Sequence, residues 1–536
     1  MIWLVKDFDF LSILLRAAAL AGEALLLGGI AYLWLVAFPI GKMRGTAALE
    51  GVSRRGIRLA AILMATSELA AVAVSSASLM NGSGLRFRDF FTANFFVAGV
   101  GGALASLLLW LCARGRTKAS AYAMLPAGLL LLATMVLTSH AASRLDDRLQ
   151  LVAYTAVHHL GTAFWLGAMP FLFASLNSAA DVEEARIAVS RFSWMAIGGA
   201  VSLTLAGVAL SYFYLGSWSG FYATGYGQVL AAKIALLLAM LALGAGNYFL
   251  GKKIAADPQP LLLRLRRFTE AELGIGFTIV LAAASLTSQT PGIDVQQDRL
   301  TLPEIYQRMH PVIPRMTSPP AARLTPATSM NVAIQVSEFS GPAPSDANDR
   351  AWSEYNHHWA GLIVLAAGAL AVLSRVRGMR WARFWPLTFA GLAVFIVLRA
   401  DPENWPIGPR SFWESFSAPD VMEHRAAALL ILGFAAFECS VQAGILRRRW
   451  ATLAFPAIMA VGAALLLLHT HGGADAKEEI LARLSHMPVA LLGAVAAWSR
   501  WLELRLPPSR AARAAGWLWP VCLAAAGMVL LNYRES

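Results

Sequence analysis

Long apolar stretches dominate this sequence and restrict what it can fold into. About fourteen windows are long enough to cross the hydrocarbon core of a bilayer, which is roughly 30 Å thick and needs about 20 helical residues. The windows are approximately 10–38, 57–80, 91–113, 120–142, 150–176, 191–215, 228–250, 268–289, 356–374, 381–399, 421–441, 450–471, 482–504 and 515–533. With 57% hydrophobic and 14% charged residues, the chain has too little polar surface for a soluble globule. We therefore predict an all-α integral membrane protein.

Lysine and arginine alternate between the two sides of these windows. Basic loops follow the first, third, seventh, ninth, eleventh and thirteenth windows, and they include Arg54, Arg116, Lys252, Arg380 and Arg448. Because loops rich in basic residues stay in the cytoplasm, we expect both termini outside. The net charge of +12 is then a topology signal, and we expect a lipid bilayer and no nucleic acid as partner. The first window lacks a basic leader and a cleavage site, which favours a retained span.

One loop interrupts the regular spacing of the windows. Residues 290–355 are rich in Pro, Ser and Thr, too polar to span and too long for a simple turn. We predict an eight-helix membrane unit over 1–289, an outer loop over 290–355 and a six-helix unit over 356–536.

All ten histidines fall on the outer side of this predicted topology. They are His140, His158, His159, His310, His357, His358, His424, His469, His471 and His486. Neutral imidazole is the commonest protein metal ligand, and an ionisable group inside a span is costly enough to suggest a function. The pattern therefore predicts a metal-handling outer surface. The alternative is that these rings cap carbonyl groups or meet lipid headgroups.

The six histidines of the C-terminal unit form the densest group, from helix ends that converge on one face. We predict that three or more of them share a metal ion. In the N-terminal unit, His140 and His159 are expected near the outer ends of adjacent helices. Only one of His158 and His159 should face His140, because neighbouring residues lie 100° apart on a helix.

Methionine adds soft ligands on the same side. Met309 and Met316 flank His310 in the outer loop, which also contains Met330. Thioethers select Cu(I), so histidine mixed with methionine indicates copper before zinc. A methionine in so apolar a chain also fills cores.

A few charged residues lie inside or beside the spans. Glu23, Glu68 and Lys233 are candidates for a translocation path, or else pair structurally. Glu270 and Glu272 lie beside two arginines at the predicted cytoplasmic end of the eighth window, where we expect surface ion pairs.

The sequence lacks the motifs that characterise several classes of metal-handling enzyme and pump. The sequence has no P-loop, no CPC thiol pair and no HExxH, which argues against an ATP-driven metal pump and a metalloprotease. Cys112, Cys439 and Cys522 lie far apart and are expected to be packing residues.

The segments over about 120–320 resemble the CopD family of bacterial copper-resistance membrane proteins. The resemblance rests on Ser139-His140-Ala141, on "HHLGTAFWLGAMPF", on "GYGQVLAAKIALLLAMLALGAGNYF" and on "SLTSQTPGIDVQQDRLTLPEI". It implies copper tolerance or uptake at the bacterial inner membrane, with a small periplasmic carrier of the CopC type as partner. It also implies that His140 and His159 are the matching histidines, with Trp165 and Gly167 as packing residues. The chain departs from the family in having Ser139 where glycine is usual and in showing no fused carrier domain.

Three functional hypotheses follow from these features. The leading one is a non-enzymatic protein that binds copper ions on its outer face and transports them. The second is a b-type haem oxidoreductase, because paired histidines on neighbouring spans can be axial haem ligands. The third is a periplasm-facing copper chaperone without transport.

Overall fold

The structure is a computed structural model that describes residues 8–82, 84–253, 258–319, 347–401, 404–415, 419–468 and 476–535. These ranges contain helices and no strand. The long helices are α1 (Phe8–Tyr32, continued by a π-helical segment Leu33–Ala37 and by Phe38–Arg44), α2 (Ala48–Gly82), α3 (Asn94–Arg114), α4 (Lys118–Leu137), α5 (Arg148–Ser178, with a π-helical segment Ala163–Gly167), α6 (Val182–Leu215), α7 (Gly225–Lys253), α8 (Pro258–Thr287), α9 (Ala347–Leu373), α10 (Leu387–Arg399), α11 (Pro419–Gln442), α12 (Arg449–Leu468), α13 (Ala476–Arg505) and α14 (Arg510–Leu531).

Over the described residues, thirteen helices are long and apolar enough to cross a membrane, which confirms the all-α membrane class. The exception is α10, whose 13 residues extend only about 20 Å. A full span was predicted over 381–399, but Arg380–Phe384 form a separate 3-10 turn and α10 starts after Pro386. Proline has no backbone N–H with which to continue a helix from the preceding turn, so the apolar window is divided there.

The chain forms two compact units. The first comprises Met1–Phe221 and Val229–Val295, and the second comprises Tyr222–Gln228 and Gln296–Ser536.

In the first unit, α1 lies among α2, α4, α5 and α8. Its closest approach is to the π-helical segment of α5. A Cβ atom added to Gly167 would overlap the backbone of Ala24, and one added to Gly28 would overlap the backbone of Gly167. Glycine at these positions lets the two backbones touch, and this sets the distance between α1 and α5.

In the second unit, α14 packs between α9 and α13. Gly361 of α9 and Gly527 of α14 meet in the same way, since a Cβ atom on either would overlap the other helix. Trp385, Phe455 and Trp519 form an aromatic core, with ring centroids 5.0 to 5.6 Å apart.

Candidate functional site

A buried carboxylate and an imidazole meet between α1 and α5. Glu23 is only 3% exposed, and Nδ1 of His159 lies 2.9 Å from both of its carboxylate oxygens. A carboxylate can only accept, so Nδ1 carries the proton and donates it. The other ring nitrogen, Nε2, then presents its lone pair, as in metal sites where a carboxylate orients a histidine.

Another turn of α1 carries a partly buried arginine that the sequence reasoning missed. Arg16 lies two turns before Glu23. Its Nη1 atom donates to Oγ1 of Thr138, the residue that follows α4, at 2.9 Å. Its positive charge acts on both Glu23 and Glu68. A single arginine within the first apolar window was the available signal.

Glu68 of α2 completes this group and is 7% exposed. Two glycines of α3 make room for its carboxyl group: a Cβ atom on Gly99 would lie 3.2 Å from Glu68 Oε2, and one on Gly102 would lie 3.7 Å from its Cδ. We call Arg16, Glu23, Glu68 and His159 the inner polar group. It joins two of the three residues predicted for a translocation path.

Lys233, the third, lies elsewhere. Its charge acts on His158, whose ring points away from Glu23. His158 donates from Nδ1 to the Leu203 carbonyl of α6, at 3.1 Å. Adjacent histidines therefore face different helices, and only His159 joins the inner polar group.

His140 lies in a short turn of helix after α4. Its ring contacts Tyr214, with centroids 6.2 Å apart, and hydrogen-bonds to the backbone of Thr287. Its Nε2 atom is buried and has no partner within the described residues. Burial lowers the pKa of His140, helped by the positive charges of Arg16 and Arg144, so the ring stays neutral and able to bind a metal.

Two histidines of the second unit gather around a tyrosine near the C-terminus. His357 stacks on Tyr533 with centroids 3.8 Å apart, and His486 stands edge-on to both rings at 5.8 Å. Each histidine donates from Nδ1 to a carbonyl of its own helix, His357 to Ser353 at 2.8 Å and His486 to Ala482 at 2.7 Å.

His358 is engaged through both ring nitrogens. Nδ1 accepts from the Arg315 backbone N–H at 2.7 Å, and Nε2 donates to the Tyr533 carbonyl at 2.8 Å. A metal ion would have to displace one of these bonds, because the ring is 1% exposed and already satisfied.

The remaining predicted ligands are dispersed. His424 is exposed and lies 2.8 Å from Asp401, while His310 packs on Tyr306 with centroids 5.4 Å apart. Met309 is exposed, and the Met316 carbonyl accepts from Trp359 at 3.2 Å.

His469, His471 and Met330 lie outside the described residues. Within the described part, no three side chains among His, Cys, Asp and Glu are grouped closely enough to hold a metal. The described histidines alone therefore form no three-histidine site in the second unit.

One prediction about charged residues is wrong. Glu270 pairs with Arg267 as expected, but Glu272 is 3% exposed and accepts from the Asn247 side chain of α7. Residues two apart lie about 200° apart on a helix, so one carboxylate reaches the arginine and the other faces the interior.

The described cysteines are free, with Cys522 in the aromatic core of the second unit and Cys112 and Cys439 partly buried. No disulfide constrains either unit among these residues.

Membrane-length helices around a buried acid–histidine pair define a multi-pass α-helical membrane protein with a polar interior. Residues 186–286, in α6 to α8, match the sequence profile of the CopD family, described as copper resistance protein D. The chain is also 27% identical over 161 residues to the copper transport protein CutJ of Bacillus subtilis (strain 168), covering 30% of this chain and 28% of CutJ. The matched part thus spans less than a third of that relative. No solved structure matches the chain. The resemblance to the CopD family is confirmed.

Proposed function

We propose that this protein binds copper ions on its outer side and moves them across the membrane through its first unit. The pairing of His159 with Glu23 carries the proposal, because it places an oriented imidazole ligand beside a carboxylate inside a helix bundle. The CopD match and the similarity to a protein named for copper transport support copper as the cargo.

The charge of the inner polar group suits a monovalent cation. Arg16 supplies one positive charge beside two carboxyl groups, Glu23 and Glu68, so one further monovalent cation, a proton or a metal ion, completes the charge balance. An uncompensated charge in a low-dielectric interior is unfavourable. A Cu(I) ion held at Nε2 of His159 would bring the group to neutrality, and the unpartnered Nε2 of His140 offers a second ligand on the first unit.

The proposal extends to location and partner. We place the protein in the bacterial inner membrane with its histidines toward the periplasm, where a small copper carrier of the CopC type would deliver the metal. Exposed soft or imidazole side chains at Met309 and His424 support an outer face that can receive copper.

The decisive experiment measures Cu(I) uptake into proteoliposomes. We expect His159→Ala and Glu23→Gln each to lower uptake by about 10- to 100-fold, as loss of a ligand or of its orienting carboxylate does in metal sites. His158→Ala is the matched control, because this neighbouring ring bonds to α6 instead. Its uptake should stay near that of the parent.

Other outcomes identify the alternatives. A parent that binds copper but transports none would be a chaperone, and the transport proposal would fail. A purified protein with a Soret band would point to a haem oxidoreductase. Equal losses in His158→Ala and His159→Ala would reject the specific role of the acid–histidine pair.

A further inference from the structure

A cavity of about 250 Å³ lies in the first unit between α5, α6, α7 and α8. Most of its wall is apolar. The polar residues that line it are Ser193, Asn247, Tyr248, Thr269 and Glu272. The cavity is large enough to hold an ion with several waters, and it does not include any member of the inner polar group.

Glu272 is the charged residue of this cavity, and nothing basic pairs with it in the described chain. The nearby arginines are engaged elsewhere: Arg266 donates to the Leu176 carbonyl, and Arg267 pairs with Glu270. Asn247 donates its amide N–H to one carboxylate oxygen of Glu272. A buried carboxylate with one neutral partner is costly unless a proton or cation joins it.

The neighbouring groups leave a place for such a cation. The amide oxygen of Asn247 is buried and has no partner among the described residues. Gly244 stands opposite Glu272, where a Cβ atom would lie only 3.1 Å from Oε1, so glycine keeps this side of the carboxylate open. The carboxylate and the amide oxygen thus offer two acceptors at one end of the cavity.

Two hydroxyl groups add acceptor capacity to the same wall. Thr269 donates its hydroxyl proton to the Leu265 carbonyl at 2.9 Å, and Ser193 donates to the Val189 carbonyl at 2.8 Å. With their protons committed to their own helices, both hydroxyls retain oxygen lone pairs. Besides Glu272, Tyr248 is the one titratable side chain among the lining residues.

We propose that this cavity binds a small hard cation, a sodium ion or a proton, between the carboxylate of Glu272 and the amide oxygen of Asn247. Oxygen ligands suit hard cations and not soft Cu(I), so this site is chemically distinct from the copper ligands. One monovalent cation neutralises the single carboxylate. Since α8 packs against α1, which bears Arg16 and Glu23, the cation is placed to couple to movement of the cargo.

Infrared difference spectroscopy of the full chain in lipid nanodiscs, without copper, tests this site. One arm replaces choline by sodium at constant pH, and the other changes the pH at constant sodium. We expect a carboxyl band that responds in the parent, persists in Glu270→Gln and is lost in Glu272→Gln. A response to sodium at constant pH identifies Na⁺, and a response to pH alone identifies a proton. Identical spectra for the parent and Glu272→Gln in both arms overturn the proposal.

Carbodiimide labelling provides a second test that uses only the parent protein, so its result does not depend on whether the variant folds. Dicyclohexylcarbodiimide reacts with protonated carboxyl groups in apolar surroundings, and mass spectrometry locates the adduct. We expect labelling at Glu272 that slows several-fold with sodium or at higher pH. The proposed site is contradicted if Glu272 is not labelled, or if its labelling rate changes with neither sodium nor pH. Neither measurement uses copper, so this inference and the copper proposal succeed or fail separately.

Discussion

At the scale of single residues, the function proposed for this protein depends on charged side chains in the interior of the first unit. Arg16 acts on Glu23 and Glu68, and Glu23 in turn accepts from His159. Burying a charge is tolerable when its partner is present, but removing one partner of a buried pair leaves an uncompensated charge.

We therefore predict that Arg16→Met destabilises the protein by about 1 to 3 kcal/mol, because it removes the positive charge that acts on two buried carboxyl groups and the donor that bonds to Thr138. Adding Glu68→Gln removes one of the two opposing carboxylates and should recover most of that loss. Thermal unfolding in detergent measures both effects. A double variant no more stable than Arg16→Met would show that Glu68 and Arg16 do not compensate each other.

At the scale of helices, close contact between backbones determines which side chains can meet. The π-helical segment of α5 brings Gly167 against Ala24 of α1. Ala24 follows Glu23 directly, so this contact also sets how near α5 brings His159 to the carboxylate. The resemblance to the CopD family had predicted Gly167 to be a packing residue.

We predict that Gly167→Ala destabilises the protein by about 1 to 3 kcal/mol, because an overpacked contact must separate the helices. Gly198→Ala is the control, since a Cβ atom there meets nothing within 4 Å. Gly198→Ala should change the stability by less than about 1 kcal/mol, and it should raise it, because alanine has a higher helix propensity than glycine. Thermal unfolding compares the two variants, and equal stabilities would refute the close-packing argument.

A short helix of the second unit, Leu302–Met309, depends on ionisation of Glu304. Backbone and side-chain hydrogen bonds from Thr301, with a further bond from Lys477, lower the pKa of Glu304 to about 2. A carboxyl with a lowered folded-state pKa contributes stability above its unfolded pKa. That contribution is lost as the pH falls toward the folded-state value.

We expect amide hydrogen exchange in Leu302–Met309 to be several-fold faster in Glu304→Gln than in the parent at neutral pH. The difference should shrink below about pH 4.5 and be mostly lost by about pH 2, where half of the parent carboxyl groups are protonated. A difference that persists at pH 2 would mean that Glu304 stabilises the helix by packing and not by its charge.

At the scale of the whole molecule, the predicted topology places all the histidines on one side of the membrane. The basic loops predict both termini outside, and this follows from local charge counts alone.

We predict that reporter enzymes active only outside the cytoplasm will be active when fused at either terminus. The same reporter inserted in the basic loop after α7 should be inactive. If the terminal fusions are inactive and the fusion after α7 is active, the histidines face the cytoplasm. Delivery of copper by a periplasmic carrier would then have no basis.

How much the sequence could predict differs between fold and site. Membrane insertion depends on the apolar content of each window, which is a property of residues adjacent in sequence. Thirteen of the predicted windows therefore agree with helices of membrane-spanning length. The tenth window failed because Arg380–Phe384 form a separate 3-10 turn, so that the helix begins only after Pro386. Sequence reasoning identified the chemistry of His159 and Glu23 but could not pair them, since they lie 136 residues apart.

By itself, the sequence determined the membrane class, thirteen of the predicted spans and the resemblance to the CopD family, because each depends on local composition or local motifs. Only the tertiary structure decided that Glu23 meets His159, that His158 faces α6 and that Glu272 lies in a cavity. The physical reason is the rotation of each helix about its own axis. Contacts with distant helices set that rotation, and side chains only one or two positions apart can then face entirely different surroundings.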